Sequence, residues 1–293
     1  MFRLAHVRGR AALLDDSHWF DLATLAGDES WSDPMVAIAR HHDLHALSGA
    51  LSSSLTPARP ARPARPGGLI ADETLGACVP RPQKVFAIGL NYRAHAEETN
   101  ATLPPSPLTF TKFPSCLAGP DASIELSGES VDWEVELVVV IGTGGRHIGA
   151  ADAWSHVAGL TLGQDISDRV VQRAGTPPQF SLGKSFDGYG PIGPAVVSVD
   201  AFADPDDIGL WCDVSGERMQ TSRTSDLIFD VPTLVSYLSS ICTLAPGDII
   251  FTGTPSGVGM GRGRFLRPGD TIDSGAEVIG ELHNRCVQPV TAG

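Results

Sequence analysis

Three carboxylates stand two residues apart in Asp132-Trp133-Glu134-Val135-Glu136, at the head of the apolar run Leu137-Val138-Val139-Val140-Ile141. The alternation reads as a strand, whose side chains point to opposite faces with a period of two. Asp132, Glu134 and Glu136 then share one face, and Trp133, Val135, Leu137 and Val139 take the other. Like charges this close repel unless water, protons or a cation relieve them. An all-oxygen donor set suits Mg²⁺ or Mn²⁺, and Ca²⁺ as well. The plainer reading is a solvated edge strand, because exposed carboxylates are common.

A second pair with chemical potential is His95 and Glu98 in Asn91-Tyr92-Arg93-Ala94-His95-Ala96-Glu97-Glu98. On a helix, residues three apart lie on one face, where a carboxylate can orient an imidazole and raise its basicity for activating water. A surface histidine beside a helical acid is the competing reading. Asp165 follows the apolar run Val157-Ala158-Gly159-Leu160-Thr161-Leu162-Gly163, in a place where aspartate commonly caps a turn or helix. Lys184 sits inside the Gly- and Pro-dense stretch Phe180 to Pro194, which reads as a shaped loop. The loop Gly253-Thr254-Pro255-Ser256-Gly257-Val258-Gly259 can turn backbone N–H groups toward an anion, but lacks the Gly-Lys-Ser/Thr ending of a nucleotide-phosphate loop.

Positioning such groups requires a framework rich in strands. Strands are expected at Lys84–Leu90, Leu108–Lys112, Asp132–Gly142, Val157–Gly163, Ile208–Val214 and Ile249–Thr252, with a closing pair formed by Arg267–Asp273 and Ala276–Leu282. Helices are expected near Met35–Leu47 and over Val231–Cys242, a short polar one over Asp168–Arg173, and a polar crossing at Met219–Asp226. The triplet Ala-Arg-Pro repeats from Pro57 to Pro66, and a proline at every third position removes donors and disfavours helix, which makes this a linker or exposed loop. It divides a small N-terminal module, residues 1–79, from a larger catalytic unit, residues 80–293.

Composition sets outer bounds. The 293 residues are 42% hydrophobic, enough for a substantial core. A formal charge of −13 argues against nucleic acid or an anionic membrane as partner, although a bound cation would let a small anion approach. The five cysteines are scattered, with no Cys-x-x-Cys pair, so reduced thiols are expected rather than a disulfide framework or a zinc site. The N-terminus carries no signal-peptide core and no stretch approaches the length of a membrane span, so the sequence reads as cytoplasmic.

Laid out in order, residues 83 to about 287 resemble the fumarylacetoacetate hydrolase family. Five blocks carry the resemblance: Gly89-Leu90-Asn91-Tyr92 with His95 and Glu98; Asp132 to Leu137; Gly163-Gln164-Asp165 with Arg169 and Gln172; Leu182 to Asp187 around Lys184; and Gly253-Thr254-Pro255 with Gly257-Val258-Gly259. The resemblance implies an α+β, β-rich fold, in which mixed sheets roll into a barrel-like catalytic domain beside a small N-terminal domain, and a homodimer. It implies divalent-metal ligands at Glu134, Glu136 and Asp165, a water-activating dyad at His95 and Glu98, and a site lysine at Lys184. Arg169 and Gln172, on a segment that closes as a lid, and Thr254 are the implied substrate contacts, with Asp132 tuning the site from behind. Leu90 and Trp133 depart from residues common in relatives, Arg and Tyr respectively, which bears on substrate choice.

The implied substrate is a small anionic 2-oxo acid that chelates Mg²⁺ or Mn²⁺ through its carboxylate and oxo oxygens. The leading expectation is hydrolysis of a carbon–carbon bond in a 2,4-dioxo acid such as an acylpyruvate, fumarylpyruvate or diketo sugar acid, giving pyruvate and a carboxylic acid. Isomerisation of 2-hydroxyhepta-2,4-diene-1,7-dioate and decarboxylation of an oxaloacetate-type acid are the alternatives on the same site. A non-catalytic binding protein on this fold would need a lost ligand or dyad residue, and none is lost.

Overall fold

A computed structural model of the chain describes residues 1–15, 17–54, 67–98 and 100–289. The Pro-rich repeat of residues 57–66 lies outside them. The fold is mixed α+β and rich in sheet. Among the described residues, twelve strands form one large sheet, a second sheet has five strands, and Val131–Asp132 pairs with Ser167–Asp168.

The central strand is Val135–Ile141, and every residue in it is buried. Its alternation sorts two cores rather than a wet and a dry face. Val135, Leu137, Val139 and Ile141 pack toward the five-stranded sheet and the helix Val231–Ile241, joining Leu210, Val214, Leu234 and Leu282. Val138 and Val140 pack on the opposite face against the N-terminal helices, with Trp31, Ile38 and Leu44. A strand covered on both sides must be apolar at nearly every position, which is why Leu137–Ile141 is an unbroken hydrophobic run and Glu136 is the one polar residue of the strand. Burying a Val or Leu side chain fully contributes roughly 1.5–3 kcal/mol, so the sandwich anchors this strand firmly.

Strand pairing then decides where the polar residues gather. Val135–Ile141 runs antiparallel to Val157–Gln164, with Val135 opposite Gln164. It also runs antiparallel to Ile249–Phe251, which is parallel to Val85–Gly89. The start of the first strand therefore meets the ends of the other three. Glu134 and Glu136, Asp165, Gly253–Thr254 and the turn toward His95 all emerge at this one edge.

The expected continuous strand from Asp132 is broken. Val131–Asp132 pairs elsewhere, and at Glu134 and Val135 two glutamine side chains take over backbone partners. The Glu134 N–H donates to Gln164 Oε1 at 2.9 Å and the Val135 N–H to Gln220 Oε1 at 3.0 Å. Trp133 is swallowed by the core, and its indole N–H donates to the Gly257 carbonyl at 3.2 Å. The expected helix near Met35–Leu47 is two, Pro34–Ala39 and His41–Ser54. The polar crossing is largely the strand Glu217–Arg223, which forms a hairpin with Gly209–Val214 through Ser215 and Gly216, both at positive φ.

The N-terminal residues join the large sheet. Arg3–Val7 pairs antiparallel with Gly190–Val197, itself a neighbour of Val157–Gln164. Among the described residues no helix is long and apolar enough to cross a membrane, and all five cysteines are free.

Candidate active site

Glu134, Glu136 and Asp165 each offer a carboxylate oxygen, and these oxygens lie within 4.8 Å of one another in a buried setting. Asp165 is held by its own backbone, whose N–H donates to the Glu134 carbonyl at 2.8 Å. The site needs Gly253 beside it. That residue has φ +105°, and a Cβ there would come within 2.8 Å of Asn91 Cβ. Its N–H donates to Glu136 Oε2 at 2.7 Å.

Cations surround two of the three acids. Lys184 Nζ lies 2.7 Å from Glu134 Oε2, 2.6 Å from Asp165 Oδ2 and 2.7 Å from Ser167 Oγ. Arg169 Nη2 reaches Glu134 Oε1 at 2.6 Å and Asp132 Oδ2 at 2.7 Å. Burial opposes the charge on Glu134, but Arg169 and Lys184 together outweigh it and hold the carboxyl at about 2. Lys184 keeps its proton for the same reason: burial pulls its pKa down, and Asp165 and Glu134 more than reverse this. Glu136 is the exception. Burial, then the neighbouring charges of Asp165 and Glu134, push its carboxyl well above the ordinary range. Oxygen-only donors and one acid short of positive charge fit a hard divalent cation.

The sequence did not single out Lys112, the residue that completes this cluster. It follows the edge strand Leu108–Thr111, is 1% exposed, and its ammonium donates to Asp165 Oδ1 at 2.7 Å and to the carbonyls of Tyr189 and Lys184. A lone lysine at a strand end looks like surface, and only the fold turns it inward. Asp132 acts as an organiser: besides Arg169 it accepts the N–H groups of Gly259 at 2.7 Å and Met260 at 2.9 Å.

His95 sits on the short helix Arg93–Glu98 with its Nδ1 3.1 Å from Glu98 Oε2. Glu98 is tethered in turn by the Gly257 N–H, 3.0 Å from Oε1. Asn91 staples the approach to that helix, donating to the Thr252 and Phe229 carbonyls at 2.7 and 3.0 Å and accepting the Phe229 N–H. Before it, Leu90 takes φ +51°, the turn that carries the chain from strand to helix.

A cavity of about 280 Å³ brings these groups together. His95, Glu134, Glu136, Asp165, Arg169, Gln172, Lys184 and Thr254 all line it. Arg169 and Gln172 are buried and bonded to each other at 2.9 Å on the helix Arg169–Gln172, which Asp168 caps. Thr254 spends its hydroxyl proton on the Val135 carbonyl at 2.9 Å and accepts from Gln220 Nε2 at 2.8 Å. Its hydroxyl therefore holds the loop to the central strand and has no proton to donate into the cavity.

The family profile "Fumarylacetoacetate (FAA) hydrolase C-terminal" matches residues 84–287. A mitochondrial oxaloacetate tautomerase of Bos taurus is 45% identical over 221 residues, 74% of this chain and 70% of the relative. A crystal structure of 5-carboxymethyl-2-hydroxymuconate delta-isomerase from Mycobacterium smegmatis is 31% identical, with a TM-score of 0.74 over 99% of this chain and 100% of that one. Maleylpyruvate hydrolase from Sphingobium sp. SYK-6, solved in complex with manganese(II) and pyruvate, is 30% identical, with a TM-score of 0.78 over 98% of this chain and 100% of that one. The similar proteins thus span a tautomerase, an isomerase and a hydrolase.

Proposed function

The chain belongs to the fumarylacetoacetate hydrolase family, and from that premise we propose that it is a divalent-metal-dependent enzyme that moves a proton at the carbon beside the oxo group of a small 2-oxo acid. The favoured reaction is keto–enol interconversion of an oxaloacetate-type acid, a reading supported by 45% identity to an oxaloacetate tautomerase. One observation carries it: the acidic triad and a carboxylate-held imidazole line the same cavity.

Bound to Glu134, Glu136 and Asp165, Mg²⁺ or Mn²⁺ would supply Lewis acidity, neutralising the substrate carboxylate and favouring negative charge on the adjacent oxygen. Glu98 takes the His95 Nδ1 proton as hydrogen-bond partner, which leaves Nε2 as the basic nitrogen. In the enol-to-keto direction Nε2 of His95, protonated from solvent, would deliver its proton to the substrate C3 while the enol hydroxyl proton leaves to water, and the imidazole then regains a proton from water. Lys184, kept charged by its acidic neighbours, would favour the oxyanion through its charge alone, its three donors being spent on Glu134, Asp165 and Ser167, while Gln172 and the remaining N–H of Arg169 would orient the substrate.

The same dyad supports a second reading, hydrolysis of a 2,4-dioxo acid with His95 taking a proton from water. Similarity to a maleylpyruvate hydrolase favours it. Loading the protein with Mg²⁺ or Mn²⁺ and following oxaloacetate enol loss beside pyruvate release from acylpyruvates separates the two. Accelerated enol loss without acylpyruvate cleavage is the expected result. Cleavage without enol turnover would move the assignment to hydrolase. A homodimer and a reducing compartment such as the cytoplasm complete the proposal, the latter supported by five free cysteines; light scattering in solution tests the former.

A further inference from the structure

The cavity wall carries three cationic side chains, Arg169, Arg173 and Lys184, and the protein itself consumes two of them. Arg169 is bonded to Asp132, Glu134 and Gln172, and Lys184 to Glu134, Asp165 and Ser167. Arg173 differs. It closes the helix Arg169–Gln172, and its backbone N–H bonds back to the Arg169 and Val171 carbonyls. The residue is exposed, and among the described residues its guanidinium has neither a hydrogen bond nor an ion pair. Arg173 therefore both lines the cavity and meets solvent, whereas the triad is buried.

Much of the remaining wall is apolar. Leu90, Ala101, Phe110, Phe180 and Met260 offer no side-chain donor. A ligand filling the cavity therefore meets buried polar groups, hydrocarbon and one uncommitted guanidinium. The planar fork of a guanidinium matches a carboxylate in two parallel hydrogen bonds. A volume near 280 Å³ suits a short acid rather than a bulky one.

We propose that Arg173 binds the carboxylate at the end of the substrate remote from the 2-oxo group, which makes the enzyme selective for short 2-oxo dicarboxylates over 2-oxo monocarboxylates. This assignment rests on the reading of the triad and dyad as a 2-oxo acid site. It makes Arg173 a specificity residue and not part of the proton-transfer machinery. The positive charge would also draw a dianion toward a protein of net charge −13.

The test is calorimetric binding to Mg²⁺-loaded protein of 2-oxo diacids of four to six carbons, each paired with the 2-oxo monoacid lacking the terminal carboxylate. The wild type should prefer at least one diacid by about tenfold or more, a scale set by one charge-assisted pair. Arg173→Gln should bring that ratio close to one, and Arg173→Lys should restore part of it. Being exposed, position 173 tolerates both changes without loss of fold. An unchanged ratio in Arg173→Gln, or a wild type without preference, overturns the assignment. Failure of both classes to bind metal-loaded wild type overturns the site reading beneath it, and the Arg173 assignment falls with it. Steady-state kinetics adds a second readout: the loss should appear in KM for the diacid with kcat little changed.

Discussion

Glu136 Oε2 accepts the Gly253 N–H at 2.7 Å, and among the described residues no lysine or arginine forms an ion pair with this carboxylate. Its neighbours Glu134 and Asp165 each have two. In the metal-free protein Glu136 therefore holds a proton above the pH at which an ordinary glutamate loses it. Metal binding must expel that proton, so affinity for Mg²⁺ or Mn²⁺ should rise with pH across the interval above the ordinary carboxylate range. Calorimetry in buffers of different ionisation enthalpy should show proton release on binding, and Glu136→Gln should remove most of the release while weakening affinity.

The same relationship fixes the sign of a stability effect. A raised folded-state pKa means that the folded, metal-free protein binds more protons than the unfolded chain. This contribution is fully present below the normal glutamate pKa and is lost as pH rises through the higher folded value. Thermal melts of the chelated protein should fall over that interval, and saturating Mg²⁺ should flatten the fall. A melting profile of the chelated protein that rises there would contradict the assignment.

Lys112 is fully enclosed and carries one ion pair and two carbonyl bonds. Lys112→Met removes the positive partner of a buried carboxylate, a change that commonly costs about 3–5 kcal/mol. Urea denaturation of metal-free protein should show a loss of this size, and added metal should recover part of it by supplying charge near Asp165. A loss under about 1 kcal/mol would mean that Lys112 contributes little to holding the triad together.

Residues 168–178 follow the acid Asp165, expose Val170 and Arg173, and carry the buried Arg169 and Gln172. We expect this segment to close over bound substrate as a lid. Hydrogen exchange with Mg²⁺ and oxalate should slow there relative to Mg²⁺ alone. Equal exchange in the two states would remove the lid from the account.

Much of this arrangement was legible in the chain. The acids Glu134 and Glu136 stand at the head of an apolar run that reads as a strand, although its burial on both faces was not legible, and the Gly-Thr-Pro loop follows a second short apolar run. Helical spacing put His95 and Glu98 on one face, and only the family resemblance made them a dyad. What stayed hidden depends on contacts far apart in sequence. Lys112 looks like a surface residue until Asp165, 53 positions later, is folded against it. The break before Val135 needs Gln164 and Gln220 to supply backbone partners, and nothing local in Asp132-Trp133-Glu134 signals it. Thr254, a substrate contact by the family resemblance alone, lines the cavity, and only the fold shows its hydroxyl proton committed to the Val135 carbonyl.

On the proposed function, His95, held by Glu98, transfers protons at the carbon beside the oxo group of an acid bound at the Glu134, Glu136 and Asp165 site. The most direct measurement is exchange of the C3 protons of oxaloacetate in D₂O, followed by proton NMR with Mg²⁺-loaded protein. Exchange should be fast, should stop with excess EDTA, and should fall by roughly 10² to 10⁴ in His95→Ala, the contribution usual for a positioned general base. Glu98→Gln should act in the same direction more mildly, since it keeps the hydrogen bond and loses the charge that supports the imidazolium. Undiminished exchange in a His95→Ala protein that still binds its metal would contradict the account.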